Sequence, residues 1–421
     1  MKSLLDKINA KLNAQGGFLK AVSVLVGGTA FAQLIAFLSL PFLTRLYSPE
    51  DYSILGIYIA LVSILSVVSC LRFDIAIPIP QQENEGKALL ILALLSNTIF
   101  FILLYILMLL IYPLIEEIKV VKQLSYWIWL VPFGVYISGL YSALQYWATR
   151  HKRFKDIAQT RMTQAVFGNC TSLTIGVISG GFWGLILGQI LNFSGGLLKL
   201  STSAKKDLSL VASSPLKDTF FKYSNFPKYS TFEALANTSA IQLPLIIIAS
   251  FIVGPEVGFL MMAMKILAIP MGLLGSAIAQ VYLANANNYL ENKELYGYTK
   301  TVIFKILKII TLPFIFLAIL SPFIFTIIFG KGWSGLGVYI LYMIPWFFMQ
   351  MLVSPVSMSL NIIGKQKVAL IIQIIGFILR VLGLVLWAIL FDKGIIEYYF
   401  FSSFIFYILY LLIVMYCLKG K

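Results

Sequence analysis

The chain has 421 residues, of which 60% are hydrophobic and only 12% charged, and its formal net charge is +15. A soluble domain carries about 25% charged residues, so a chain with mean hydropathy +0.91 is an integral membrane protein and not a large soluble core. The positive excess does not call for nucleic acid: basic residues of membrane proteins collect in cytoplasmic loops, and no soluble domain is present to build a nucleic-acid surface.

Residues 1–20 hold Lys2, Lys7, Lys11 and Lys20 but no short apolar core followed by a cleavage site. They read as a cytoplasmic amphipathic lead-in and not as a cleaved signal peptide. A spanning helix needs about 20 mainly apolar residues, and runs of that kind predict about twelve spans. In the first half these are 20–44, 52–72, 86–112, 124–148, 156–178 and 182–201. The fifth and sixth are the least apolar, interrupted by Gly180-Gly181 and rich in Asn, Gln and Gly. In the second half they are 231–252, 256–284, 300–328, 335–361, 367–390 and 395–418.

The basic residues orient these spans. With both termini cytoplasmic, Arg45, Lys119, Lys122, Lys331 and Lys393 fall outside, and Lys265 and Arg380 stay within the membrane. Every other lysine and arginine, including Arg150, Lys152, Arg153, Lys155 and Arg161, falls on the cytoplasmic side. A missing span would scramble this alternation. The largest connection, 201–230, is a cytoplasmic linker between an N-terminal bundle, 1–200, and a C-terminal bundle, 231–421. The expected fold is therefore an all-α integral membrane protein of two six-helix bundles. Ser48-Pro49-Glu50 and Gly254-Pro255-Glu256 both begin a span, and the same offset aligns Trp127 with Trp333, as parallel repeats would.

No enzyme constellation emerges. The sole histidine, His151, lies in the basic run Arg150-His151-Lys152-Arg153 and reads as part of a solvated loop. Cys70, Cys170 and Cys417 have neither metal-ligand spacing nor a disulfide pattern. No GxxxxGK[ST] loop is present, so the chain is expected to be a non-enzyme without a cofactor or metal. A membrane glycan polymerase would need a sizeable outside loop, and the outside loops are short.

Lys265 and Arg380 carry the strongest signal. A charge at mid-bilayer costs about 2.5–3.5 kcal/mol on insertion scales, so such residues usually face a polar cavity or a partner. Lys265 is roughly ten residues, about 15 Å of helix, from the nearer end of its run, beyond the reach of a snorkelling lysine. The acids sit near span ends, which leaves both cations without a partner at their own depth. Arg45 at the outer end of the first span, Arg72 and Asp74 after the second, and Glu233 at the start of the seventh complete a candidate pathway or gate. Amides such as Gln33, Asn97, Gln145, Gln164 and Asn192 suit interhelical hydrogen bonds or sugar hydroxyls.

The stretch Gly27-Gly28-Thr29-Ala30-Phe31-Ala32-Gln33, the turn from Pro41 through Arg45 to Pro49-Glu50-Asp51-Tyr52, and Arg72-Phe73-Asp74-Ile75-Ala76-Ile77-Pro78 resemble bacterial polysaccharide-biosynthesis flippases. These are Wzx-type O-antigen and capsule-repeat translocases of the multidrug/oligosaccharidyl-lipid/polysaccharide exporter superfamily. The resemblance implies two MATE-like six-helix bundles that alternate between inward and outward openings. It also implies a cargo, an undecaprenyl-diphosphate-linked oligosaccharide, moved across the bacterial inner membrane for O-antigen, lipopolysaccharide or capsule. Its implied partners are that lipid-linked glycan, membrane lipids, and a polysaccharide polymerase with chain-length proteins. Lys265 and Arg380 would receive the diphosphate in a cationic cavity. An exporter of organic cations within the same superfamily is the alternative, but it would need deep acids where this chain has deep cations.

Overall fold

The computed structural model describes residues 17–208, 214–252, 254–275, 278–279, 281–282, 286, 289–290, 293–391 and 393–419. Most of the expected N-terminal lead-in, residues 1–16, lies outside them. The described residues contain helices and turns and no strand. The long elements are α1 (Gly17–Leu46), α2 (Pro49–Ser69), α3 (Glu83–Ile115), α4 (Leu130–Arg150), α5 (Phe154–Ile178) and α6 (Trp183–Ser194). They continue with α7 (Thr231–Phe251), α8 (Pro255–Pro270), α9 (Leu295–Phe329), α10 (Leu336–Val353), α11 (Gln366–Leu390) and α12 (Ile395–Lys419).

Local chemistry sets the ends of these helices. At the start of α2 the Ser48 hydroxyl accepts the Asp51 amide at 3.2 Å, and the Asp51 carboxylate accepts the Ser48 amide at 2.8 Å. This reciprocal cap satisfies donors that the first turn leaves free. Pro49 and Pro255 occupy first helical positions, where their missing N–H is no loss. Gly330, at φ +96°, ends α9 with backbone that a side chain would strain. Trp127 and Trp333 both lie in 3-10 turns, ahead of α4 and α10.

Ten helices among the described residues are long and apolar enough to cross a membrane, where the sequence predicted about twelve. The two that fall short are α5 and α6. The first carries Thr160, Arg161, Thr163, Gln164, Asn169, Thr171, Ser172 and Thr174, and the second is only 12 residues long. Both are helical, as expected, and close packing explains how polar helices are accommodated. A Cβ on Gly28 of α1 would lie 2.5 Å from the Ala158 Cβ of α5. A Cβ on Gly188 of α6 would lie 2.0 Å from the Ser172 hydroxyl of α5. Small residues let the backbones approach, and hydrogen bonds such as Asn192 to the Gln164 carbonyl at 3.0 Å form across the contact.

The chain divides into two compact units. The first comprises residues 1–46 and 58–238; the second comprises 47–57 and 239–421. The first buries Cys70, Phe73, Leu89, Tyr141, Trp147 and Leu200 together, and the second buries Tyr282, Leu295, Val353, Leu360, Phe406 and Val414. In the second unit Tyr52 meets Trp333 edge-on at 5.2 Å, and Gly258 of α8 lies against the Pro49 carbonyl.

The expected linker is largely helical and groups with the first unit. Helix Leu197–Leu208 brings Asp207 within 2.6 Å of the Arg153 guanidinium, and the same carboxylate accepts the Trp147 indole N–H at 3.1 Å. Helix Leu216–Lys222 places the Lys222 ammonium 2.6 Å from Glu85, whose other oxygen accepts the Tyr223 hydroxyl at 3.0 Å. Burial and the Glu85 carboxylate together push the Tyr223 phenol up, and the hydrogen bond to Glu85 raises the Lys222 ammonium.

Candidate functional site

Arg380 sits in α11 where the helix widens into a single π-turn, Ile378–Leu382. Such turns shift the hydrogen-bond ladder and re-aim side chains, and they recur at functional sites. The residue is only 4% exposed. Its Nε–H donates to the Gly376 carbonyl at 3.1 Å, and its guanidinium carbon lies 4.3 Å from the Phe406 ring centroid of α12. Tyr399 and Tyr407 both lie close enough to the guanidinium to feel its charge. Gly376 makes the seat: a Cβ there would be 2.9 Å from an Arg380 Nη and 2.5 Å from the Phe406 ring.

Aromatic faces attract a desolvated cation by roughly 2 kcal/mol. That falls short of what a counter-charge supplies, and no carboxylate among the described residues pairs with Arg380. Trp346 of α10 packs edge-on against Tyr399 at 5.1 Å and closes the aromatic surround.

Lys265 is half-buried in α8, between the buried Met262 and Ile266, and the helix passes into a second π-turn, Met271–Gly275, just after Pro270. No hydrogen bond or ion pair engages its ammonium among the described residues. Both cations belong to the second unit, but no direct contact joins them.

The other sequence-predicted residues are dispersed. Arg45 and Glu233 are exposed. Arg72 and Asp74 do not pair with each other. Asp74, 5% exposed, instead accepts the Ser142 hydroxyl of α4 at 2.5 Å, while its second oxygen and the Arg72 Nε are buried without a partner. Leu71 and Arg72 hold left-handed backbone, φ +48° and +60°, which turns the chain sharply before the short helix Phe73–Ala76. Such strain persists only where surrounding contacts fix it.

Sequence reasoning missed the contacts that hold the segment just after this turn. Arg150, taken as one of a solvated basic run, donates to the carbonyls of Ile77 (3.0 Å), Pro80 (2.6 Å) and Gln82 (3.0 Å) and to the Glu83 carboxylate (3.0 Å). His151, also read as solvated, lies 2.9 Å from Glu83 and 4.6 Å from the Trp147 ring. The donor-rich geometry of arginine and the extended Pro78–Gln82 turn are both visible in the sequence, but their meeting is not. Among the described residues no group of His, Cys, Asp and Glu could hold a metal ion.

Residues 42–337 match the model of a family described as polysaccharide biosynthesis protein. Among solved structures, the chain is similar to the lipid II flippase MurJ in an inward closed conformation, at 16% identity and TM-score 0.69, over 92% of this chain and 86% of that one. It is also similar to an inward-facing multidrug resistance MATE family transporter of the MOP superfamily, at 14% identity and TM-score 0.67, over 92% and 96%. A mutant MATE transporter of Vibrio cholerae matches at 14% identity and TM-score 0.58, over 96% of both chains. No curated protein matches the sequence. At these identities the structural likenesses establish a MATE- and MurJ-like transporter fold.

Proposed function

From the premise that the chain belongs to the polysaccharide biosynthesis protein family, we propose that it is a flippase for lipid-diphosphate-linked oligosaccharide repeat units. It moves them from the cytoplasmic to the outer leaflet of the bacterial inner membrane by alternating access. The products would be O-antigen, capsule or a related surface glycan. The observation that carries this reading is a pair of cations within membrane helices, Lys265 and Arg380, that no carboxylate among the described residues neutralises. A low-dielectric surrounding strengthens any anion brought to such groups, and a diphosphate is the anion common to lipid-linked glycans.

Each residue has a role in this reading. Arg380, with its fork of donors held against Phe406 and Tyr407, fits bidentate recognition of phosphate oxygens. Lys265, a compact charge on a flexible stem, follows the diphosphate as a point charge. Arg72, Asp74, Arg45 and Glu233 act in the pathway or its gates, with Asp74 anchored through Ser142. An organic cation would be repelled at both deep positions, which disfavours a multidrug exporter of this fold.

Complementation of a deletion strain tests the proposal. Lys265→Ala and Arg380→Ala should each abolish surface glycan and leave single lipid-linked repeat units on the cytoplasmic side. Normal surface glycan from the well-expressed double variant would overturn the assigned roles. Long polymer on the lipid carrier in the deletion strain would overturn the flippase reading itself.

A further inference from the structure

Arg161, expected on the cytoplasmic side, is set inside a helix pair. It lies in α5 about 10 Å along the axis from the helix start at Phe154, and it is half-buried. Its Nη2 donates to the Gln145 side-chain oxygen of α4 at 2.8 Å. Its guanidinium carbon lies 5.6 Å from the Tyr141 ring centroid, one helical turn before Gln145.

The supports are rigid. The Thr160 hydroxyl has one proton and gives it to the Ile157 carbonyl at 2.8 Å, so at 2.8 Å from Tyr141 it must accept the phenol proton. Tyr141 and Thr160 are 7% and 1% exposed. The tyrosine is therefore fixed by its hydroxyl, and its ring is left to face the guanidinium.

The arginines of the first unit differ in what their donors do. Arg150 spends its donors on carbonyls and Glu83, and Arg153 pairs with Asp207. Arg161 has no carboxylate partner among the described residues, and its remaining nitrogens are neither bonded nor shielded from solvent. Since Gln145 gives its oxygen to Arg161, its amide N–H group is left free as well. The result is a cluster that offers only donors, next to a fixed aromatic ring. Donor-only chemistry of this kind suits an acceptor-rich oxyanion.

We propose that Arg161 and Gln145, backed by Tyr141, form an anion-binding subsite of the first unit that takes an oxyanion of the glycolipid cargo. This rests on the flippase reading for the identity of the cargo. Phosphate oxygens of the carrier and the carboxylate of an acidic sugar share this chemistry.

Binding calorimetry on the detergent-purified full chain, with farnesyl diphosphate in one arm and glucuronic acid in the other, separates the two sources. The arm that binds identifies the source. In that arm Arg161→Gln should weaken affinity by about tenfold, the loss expected for one charge-assisted hydrogen bond. Arg161→Lys should fall between, because lysine keeps the charge and loses the fork, and Gln145→Ala should give a smaller loss. Wild-type affinity for both probes in a folded Arg161→Gln variant overturns the subsite, as does a wild-type chain that binds neither. Should Arg161→Gln keep wild-type affinity while Arg380→Ala blocks export, the subsite fails and the flippase reading stands. Should the deletion strain accumulate long polymer on the lipid carrier while Arg161→Gln loses its probe, the reverse holds.

Discussion

The two units use charge in opposite ways. Every ion pair among the described residues lies in the first unit: Lys122–Glu117, Arg150–Glu83, His151–Glu83, Arg153–Asp207, Lys199–Asp156 and Lys222–Glu85. Several of them join elements far apart in sequence, so their charges act as joints that hold the connection after α6 onto the ends of α3 and α4. The second unit has no such pair among its described residues, and it holds two cations inside its spans. Among the described residues, Arg380 has one carbonyl and a π face, and Lys265 has no polar partner. A paired charge is spent on structure. An unpaired one keeps its attraction for an anion that arrives later, at a standing cost to stability.

Substitutions that treat the two units alike should therefore give opposite results. The largest expected effect is Arg150→Ala. It strips the carbonyls of Ile77, Pro80 and Gln82 and the Glu83 carboxylate of their donor, and each hydrogen bond to a charged group of this kind contributes about 1.5–3 kcal/mol. A matching fall in thermal midpoint of the purified protein checks it; an unchanged midpoint would remove the contrast between the units. Arg380→Met is the counterpart. An apolar side chain removes the desolvation cost of a buried cation that no carboxylate offsets, so this variant should melt at or above the wild-type temperature while exporting no glycan. A lower midpoint would show that Arg380 is a structural residue like Arg150.

Ser142→Ala sharpens the comparison at Asp74, a buried acid of the first unit that is only half satisfied. Loss of its hydrogen bond to Asp74 should cost about 1.5–3 kcal/mol, and Asp74→Asn in the same background should recover part of it. The smallest effect concerns Lys222. Its ammonium is held above the usual lysine range by Glu85, so the contact stabilises fully below lysine's ordinary value and is lost as pH rises through the folded one. The raised Tyr223 phenol acts in the same direction. Hydrogen exchange in Leu216–Lys222 should quicken in strong alkali, and Lys222→Ala should make it fast already at neutral pH.

Much of this was legible in the chain. Run length and composition located the apolar helices, because a bilayer leaves few alternatives to a long apolar segment. Lys265 and Arg380 stood out for the same reason. The polar helices α5 and α6 were harder: glycine-mediated packing allows them to be polar, and the partners of Gly28 and Gly188 are distant in sequence or across a turn. The cage around Arg150 depends on contacts 67 to 73 residues away, which no local period encodes. Neither π-turn was visible, since nothing in Ile378–Leu382 or Met271–Gly275 distinguishes a widened turn from an ordinary one.

Gly376 and Arg380 lie four residues apart on one face of α11, and each occupies room the other needs. Even a methyl group at 376 would press on both the guanidinium and the Phe406 ring. Loss of the guanidinium would in turn leave an empty pocket where the glycine made space. A side chain at 376 is therefore penalised for as long as Arg380 and Phe406 fill that space, which ties the two sites together in inheritance. In descendants of this chain, a larger residue at 376 should accompany the loss of arginine at 380 and mark a lineage that has given up the cation.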